Sequence, residues 1–484
     1  MPLFAPSKGK NMIGKMFRLF TMLLLMGSAV IGPVFSAANC PGNWLGVLKV
    51  AAVELRVVVR ISASTDGSLM AVMDSPDQGA KNIPVDKVDC TSTGLKLSVA
   101  GIRGSFEGTF GQDGNTLSGT WQQGGVSIPL ELKRVQEVPE AKRPQTPQKP
   151  YPYKEEEVVF ENKSAGVKLA GTLTMPNKQE PVAGVILLSG SGPQDRDETI
   201  FNHKPFWVLA DYLTRNGIAV LRFDDRGIGK STGDFSQATT EDFSGDALAA
   251  VEFLKTRKEI DIRKIGLIGH SEGGLIAPLA AVRSTEVRFI VLLAGTGLPG
   301  EDILLTQARL ISQASGVSES AIAANQDLQK RLFAIVKEEK DRVAAEKRLA
   351  EAIKISMDKG SEESKKAMPE AAMTAQIKSV NSPWFRFFLT FDPRPILQKV
   401  SCPTLALNGE KDLQVAAKEN LPAIENALKT GGNKNYTVKE LPGLNHLFQS
   451  CQSGTVAEYG KIEETFSPLA MKIIADWIGA LNLQ

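Results

Sequence analysis

Histidine is nearly absent from this chain: three occur in 484 residues, His203, His270 and His446. Any chemistry that needs an imidazole must draw on one of them. Three histidines far apart in sequence, with no Cys-x-x-Cys pair, leave no credible set of metal ligands. Cysteine is also scarce, at four, which excludes a small scaffold held together by disulfides. Neither sign of charge dominates: the formal net charge is +2, with 56 basic and 54 acidic residues. The stretch 1–38 holds Lys8, Lys10, Lys15 and Arg18 and no acid, so the rest of the chain is close to balance. Nothing in that balance points to nucleic acid or an anionic membrane as partner. Nothing in the sequence speaks to oligomeric state.

What is present is enough for several cores. A chain of this length exceeds one ordinary domain, and 42% hydrophobic with 23% charged residues describes a soluble globular protein. The first 38 residues read as a secretory signal. A basic region precedes the apolar run Leu19–Met26, and Ser36-Ala37-Ala38 supplies small residues for cleavage after Ala38, with Met12 as an alternative start. Gly27, Gly32 and Pro33 cut the run too short for a membrane anchor, and Asn39 is a poor residue before a lipidated Cys40. Export to the periplasm or beyond is expected, with no integral membrane segment left after cleavage. Export permits disulfides, and Cys40 and Cys90 fall in one prospective domain and are able to pair. Cys402 and Cys451 are expected to be thiols.

Residues 39–135 alternate with the period of strands, as in Leu95–Val99, Gly104–Phe110 and Ile128–Leu132. Turn signals at Asp66-Gly67, Thr93-Gly94, Asp113-Gly114-Asn115 and Gly124-Gly125 separate them. A small antiparallel all-β domain is predicted, with Trp44 and Trp121 in its core and Asp74–Gly79 as a turn. Residues 136–153 carry Pro139, Pro144, Pro147, Pro150 and Pro152 and read as a semi-rigid linker. From 154 to 484 strand-like runs (Lys168–Met175, Gly184–Leu188, Ile218–Phe223, Ile265–Ile268, Phe289–Leu293, Thr404–Asn408, Asn435–Leu441) alternate with helical segments near 204–215, 241–257, 271–283 and 467–481. That alternation implies an α/β domain with a mostly parallel sheet covered on both faces. Between about 297 and 395 it is interrupted by a helical insertion ending in the aromatic run Pro383–Leu389. Packing of the insertion is the favoured role of those rings, with lining of a pocket as the alternative.

Ligands of such sheets sit at the carboxyl ends of the strands. There the chain carries Gly269-His270-Ser271-Glu272-Gly273-Gly274, between a strand and a helix. Strand, sharp turn and helix are the context in which G-x-S-x-G presents a nucleophilic serine. Gly269 and Gly273 supply the small residues that the turn needs. The N–H of Glu272 at the helix start is placed to stabilise an oxyanion. A serine needs a base. His270 lies within the elbow and points away from the Ser271 hydroxyl, and His203 precedes a helix near the start of the sheet. His446, which follows the last strand, is left as the base. Its partner is sought in Gly409–Gln414, where Asp412 is favoured over Glu410. Ser189-Gly190-Ser191-Gly192, after strand Gly184–Leu188, is a glycine-rich loop from which Ser191 or Gly192 would give the second oxyanion donor. Arg222–Ser231 contains Gly-Lys-Ser, but Asp224 stands where a phosphate-binding loop requires glycine, so a structural loop is expected.

These stretches taken together resemble the α/β-hydrolase superfamily, in particular exported bacterial serine esterases carrying G-S-G-P-x-D-R-D, H-S-E-G-G, N-G-E-K-D-x-Q-V and N-H-L-F-Q. Here they stand as Gly190–Asp197, His270–Gly274, Asn408–Val415 and Asn445–Gln449. The chain order Ser271, Asp412, His446 is that of the superfamily. The resemblance implies an α/β-hydrolase fold with a helical cap, hydrolysis of a small-molecule carboxylic ester and no cofactor. Many relatives have histidine where Ser189 stands, and the first 153 residues are not covered. Peptidases, thioesterases and acyltransferases use the same parts; Glu272 after the nucleophile leans toward esterase. A tethered binding protein with a dead hydrolase domain is the reading from another class.

Overall fold

The computed structural model describes residues 40–482, apart from 51–52, 65, 79, 124–125, 139–141 and 359–369. The expected signal and the Gly124-Gly125 turn lie outside the described residues. The chain divides into two compact units, between residues 140 and 141.

The first unit is one antiparallel sheet. Its strands are β1 (Gly42–Val50), β2 (Val53–Ala63), β3 (Leu69–Ser75), β4 (Ala80–Val85), β5 (Lys87–Cys90), β6 (Gly94–Val99), β7 (Gly104–Phe110), β8 (Thr116–Gln123) and β9 (Val126–Val135). They run in the order β4-β3-β2-β1-β9-β8-β7-β6-β5. The two edge strands, β4 and β5, are consecutive in sequence, so the sheet curls until its edges meet at Asp86. Alternate residues face inward, among them Trp44, Leu97, Phe106, Leu117 and Trp121, all buried, as the period of two requires. Cys40 and Cys90 are joined by a disulfide, while Cys402 and Cys451 are free thiols. Asp74 and Asp77 are not a free polar turn. Both are buried and paired, with Arg60 and Arg56 respectively.

The second unit is built on β10 (Lys154–Asn162), β11 (Val167–Met175), β12 (Val182–Leu188), β13 (Ala219–Phe223), β14 (Ile260–His270), β15 (Phe289–Leu293), β16 (Thr404–Gly409) and β17 (Tyr436–Leu441). The order is β10-β11-β13-β12-β14-β15-β16-β17. From β13 to β17 all neighbours are parallel; β10 and β11 pair antiparallel. Strands β12 and β15 are apolar throughout because both faces are covered. Val185 and Leu187 pack against helix α1 (Pro205–Arg215) and helix Pro468–Ala480. Ile186 and Leu188 face α2 (Thr240–Lys255), α3 (Gly273–Arg283) and helix Ala417–Thr430. Each such aliphatic side chain contributes about 1.5–3 kcal/mol on burial. The insertion after β15 is helical: Gly300–Ala314, Glu319–Glu338, Arg342–Asp358, Glu370–Val380 and Pro383–Thr390.

The proline-rich stretch, expected as a semi-rigid linker, is in part docked rather than only a spacer. From Arg143 on it packs on the second unit. The Arg143 guanidinium donates to the carbonyls of Phe201, Gly460 and Ile462. The Gln145 amide both donates to Phe466 and accepts from Thr465 and Phe466. The segment turns at Arg143–Thr146, where Thr146 N donates to Arg143 O, and Arg143 and Gln145 reach sideways to satisfy loop backbone.

Candidate active site

Ser271 follows β14 with φ of +52°, a left-handed conformation that a non-glycine residue holds only under constraint. Two glycines make that turn possible. A Cβ on Gly269 would collide with the carbonyl of Gly273, and one on Gly273 with that of Leu188. The Ser271 N–H donates to Leu293 O at 2.8 Å, tying the elbow to the end of β15.

Asp412 and His446 meet across adjacent strands. His446 Nδ1 lies 2.8 Å from Asp412 Oδ2, and both residues are buried. Asp412 Oδ1 accepts from the N–H groups of Gln414 and Val415, at 2.8 and 2.9 Å, which fixes the carboxylate's orientation. Glu410 points elsewhere: its carboxylate accepts from Gly443 N. The loop bearing His446 is shaped by Asn445, whose side-chain oxygen accepts from the N–H of Leu447 and of Gln449. Asn445 Nδ2 also donates to Gln449 Oε1. These bonds are the physical content of the N-H-L-F-Q stretch.

The other two histidines are buried and bonded. The His203 ring lies within 2.8–2.9 Å of Thr465 Oγ1, Tyr459 O and Gln449 Nε2. Burial pushes its pKa down to about 4. His270 Nε2 lies 2.9 Å from His446 O, and the two rings are 4.9 Å apart between centroids. The residue before Ser271 is therefore bonded to the backbone of His446.

The loop after β12 is pinned by the end of β13. Ser189 Oγ donates to Asp225 Oδ1 and Gln194 N to Asp225 Oδ2. Arg196 grips Asp224 with two nitrogens, and Arg222 pairs with Asp197. Ser189 thus has a partner of its own, and the Arg222–Ser231 stretch is structural, with Ser231 Oγ donating to Asp224 O. Burial raises the Asp225 carboxyl well above the usual range, with Glu272 and Glu198 adding to the effect. The N–H groups of Ser191, Gly192 and Glu272 enter no hydrogen bond among the described residues, whereas Gly190 N donates to Glu198 Oε1.

Two contacts were missed by sequence reasoning. Glu272 is buried, and its Oε1 accepts from Thr240 Oγ1 and from Trp384 Nε1, both at 2.7 Å. Burial pushes its carboxyl up to about 7, against the pull of those two donors. Trp384 stacks on Phe388 at 5.2 Å, and Phe388 packs with Leu275 and Ile303. The aromatic run therefore packs the insertion, and one of its rings also reaches the elbow. Glu198 was the second omission; no spacing signal marks a residue whose side-chain partners are a backbone N–H of its own loop and the ring of His270, 72 residues away. Among the described residues no group of three or more His, Cys, Asp and Glu side chains is arranged to hold a metal ion.

Comparison with known proteins agrees with this architecture. A family model described as serine aminopeptidase, S33, matches residues 205–450, just over half of the chain. Esterase EstD of Thermotoga maritima is 28% identical over 309 residues, which cover 62% of this chain and 64% of EstD, just under two thirds of that relative's length. An acyl transferase of Photorhabdus luminescens is 31% identical over 123 residues, covering 25% of this chain and 37% of the relative. A solved esterase of Pyrococcus furiosus aligns over 71% of this chain and 97% of its own, with 16% identity and a TM-score of 0.41. With its family matched from α1 through strands β13 to β17, the elbow, the insertion and the histidine loop, the chain belongs to the S33 serine aminopeptidase family of α/β-hydrolases.

Proposed function

We propose that the protein is an exported serine hydrolase that cleaves carboxylic esters through an acyl-enzyme. The observation that carries this reading is the buried Asp412–His446 hydrogen bond of 2.8 Å, on a loop whose His446 carbonyl meets His270, the residue before a serine held at φ +52°. Ser271 Oγ attacks the ester carbonyl carbon while His446 Nε2 takes its proton. Asp412 holds the ring in the tautomer that leaves Nε2 free and stabilises the imidazolium. The tetrahedral oxyanion is met by the N–H of Glu272 and of Ser191, with Gly192 adjacent. Gly190 is committed to Glu198 and is not a donor here. Removing one such donor costs about 10²–10³ in turnover. The imidazolium then protonates the leaving alcohol, and water repeats the sequence to release the acid. Esterase names among the relatives and the absence of an aromatic after Ser271 support esters over peptides. The Cys40–Cys90 disulfide supports an oxidising compartment.

The test is labelling with a fluorophosphonate, followed by a chain-length series of p-nitrophenyl esters. The native protein is expected to label once and to hydrolyse the esters; Ser271→Ala is expected to do neither while melting at nearly the same temperature. Persistent labelling of that variant would sink the assignment.

A further inference from the structure

We infer that Glu198 and His270 form a positioning pair that holds the oxyanion loop and the His446 loop in register about the nucleophile elbow. The inference rests on the Ser271–His446–Asp412 reading and goes beyond it. Glu198 lies in the loop after β12, is buried, and holds φ of +51°, a strained backbone for glutamate. Its Oε1 accepts from two donors, Gly190 N at 2.7 Å and His270 Nδ1 at 2.8 Å. The opposite nitrogen of His270, Nε2, meets His446 O at 2.9 Å. One carboxylate and one ring thus join three segments: the loop carrying Ser191, the elbow carrying Ser271 and the loop carrying His446.

The protonation state follows from the partners. A carboxylate that already receives an N–H, and a backbone carbonyl, are both acceptors, so the ring must donate from both nitrogens. A neutral imidazole has one N–H and would leave one of these bonds unmade. With Glu198 as the carboxylate, His270 is therefore an imidazolium. Burial works against that charge, but the Glu198 carboxylate outweighs it and holds the ring's pKa above its ordinary value, with Asp412 adding to the effect. Neither nitrogen has capacity left for a substrate proton, so the pair acts through the groups it holds. Each of those groups is one residue or none from the chemistry: Gly190 precedes Ser191, His270 precedes Ser271, and the carbonyl belongs to His446 itself. A misplacement of about 1 Å at such points costs on the order of 10²-fold.

Three substitutions separate positioning from mere stability. Glu198→Gln removes the charge, so His270 becomes neutral and loses one of its two bonds. His270→Asn keeps an amide donor near the Nδ1 position, facing Glu198; His270→Gln extends a donor toward His446 O. In full-length protein the readouts are kcat and KM on a p-nitrophenyl ester, fluorophosphonate labelling rate and melting temperature, with Glu198→Asp as the charge-retaining variant. The expected result is a fall in kcat and labelling rate of about 10- to 100-fold in each of the three, with KM changed less than about threefold. Partial recovery is expected in Glu198→Asp. Glu198→Gln/His270→Asn is expected to be no worse than the poorer single variant, because the two residues act as one unit. Native kcat in folded Glu198→Gln and both His270 variants would overturn the inference. So would losses confined to KM, or unfolding of every variant, which would make the pair a stability element only. Ser271→Ala, run alongside, reports on the serine reading separately: if it keeps its activity the underlying mechanism fails, whatever the pair variants do.

Discussion

Glu272 and His203 carry opposite proton linkages, and the difference exposes each. The Glu272 carboxyl sits at about 7 in the folded chain against an ordinary 4.5. Folding then binds an extra proton between those values. Its contribution to stability is full below pH 4.5 and is lost as pH rises through 7, a cost of about 3 kcal/mol. His203 is depressed to about 4 from 6.5. Its contribution is full above pH 6.5 and is lost as pH falls through 4. Between pH 4.5 and 6.5 the two slopes oppose one another. Glu272→Gln keeps an amide oxygen for Thr240 and Trp384, so it should match the native chain in urea denaturation near pH 4 and exceed it by up to about 3 kcal/mol at pH 8. An unchanged difference across that range would mean that the carboxyl titrates normally. At this scale the Asp412–His446 contact was legible because so few histidines exist: exclusion left His446, and strand position selected Asp412, the carboxylate that faces it. Glu272's second role was not legible, because its donors Thr240 and Trp384 lie 32 and 112 residues away.

Elements with a clean hydrophobic period were legible, and those whose identity depends on their neighbours were not. Strand β15 coincides with the apolar run Phe289–Leu293, and β7 with the alternating Gly104–Phe110. Strand β10, Lys-Glu-Glu-Glu-Val-Val-Phe-Glu-Asn, was passed over because its charges resemble a solvated segment; it is an edge strand with only Val158, Phe160 and Asn162 turned inward. Helix Ala417–Thr430 was hidden by Pro422 in its interior. The G-S-G-P-x-D-R-D stretch was legible as a motif, but its purpose emerges only where it meets β13. Arg196 and Asp197 from the loop pair with Asp224 and Arg222 from the strand end and its continuation. Asp224 is buried, and its partnership with Arg196 holds its carboxyl below the ordinary value in spite of burial. Arg196→Ala would strand that carboxylate without its principal cation. A loss of about 3 kcal/mol at neutral pH is expected in urea denaturation, with kcat lowered because the loop carries Ser191. A loss under about 0.5 kcal/mol would show the pair to be an ordinary surface contact.

At the scale of the whole chain, each unit has its own buried core, and the first is closed further by the Cys40–Cys90 disulfide. Every residue proposed for the chemistry belongs to the second. The boundary between them sets where the chain is able to be cut. The proline content of 136–153 suggests a cut near Lys154, but the hydrogen bonds of Arg143 and Gln145 place functional weight before that point. Arg143 holds Phe201, Gly460 and Ile462, and Gln145 holds Thr465 and Phe466. Phe466 stacks on Phe448 at 5.5 Å, and Ser467 N donates to Phe448 O, two residues past His446. Tyr153 adds a bond to Asp211 on α1. At about 0.5–1.5 kcal/mol per bond, removal of 142–153 takes several kcal/mol from the second unit and loosens the histidine loop from behind. A fragment beginning at Lys142 is therefore expected to keep the native kcat on a small soluble ester. One beginning at Lys154 is expected to melt several degrees lower and to turn over more slowly even where it is folded. Equal melting temperature and kcat in the two fragments would show that the Arg143 and Gln145 bonds contribute nothing, and a tenfold loss in the longer one, about 1.4 kcal/mol of barrier, would show that the first unit takes part in the reaction.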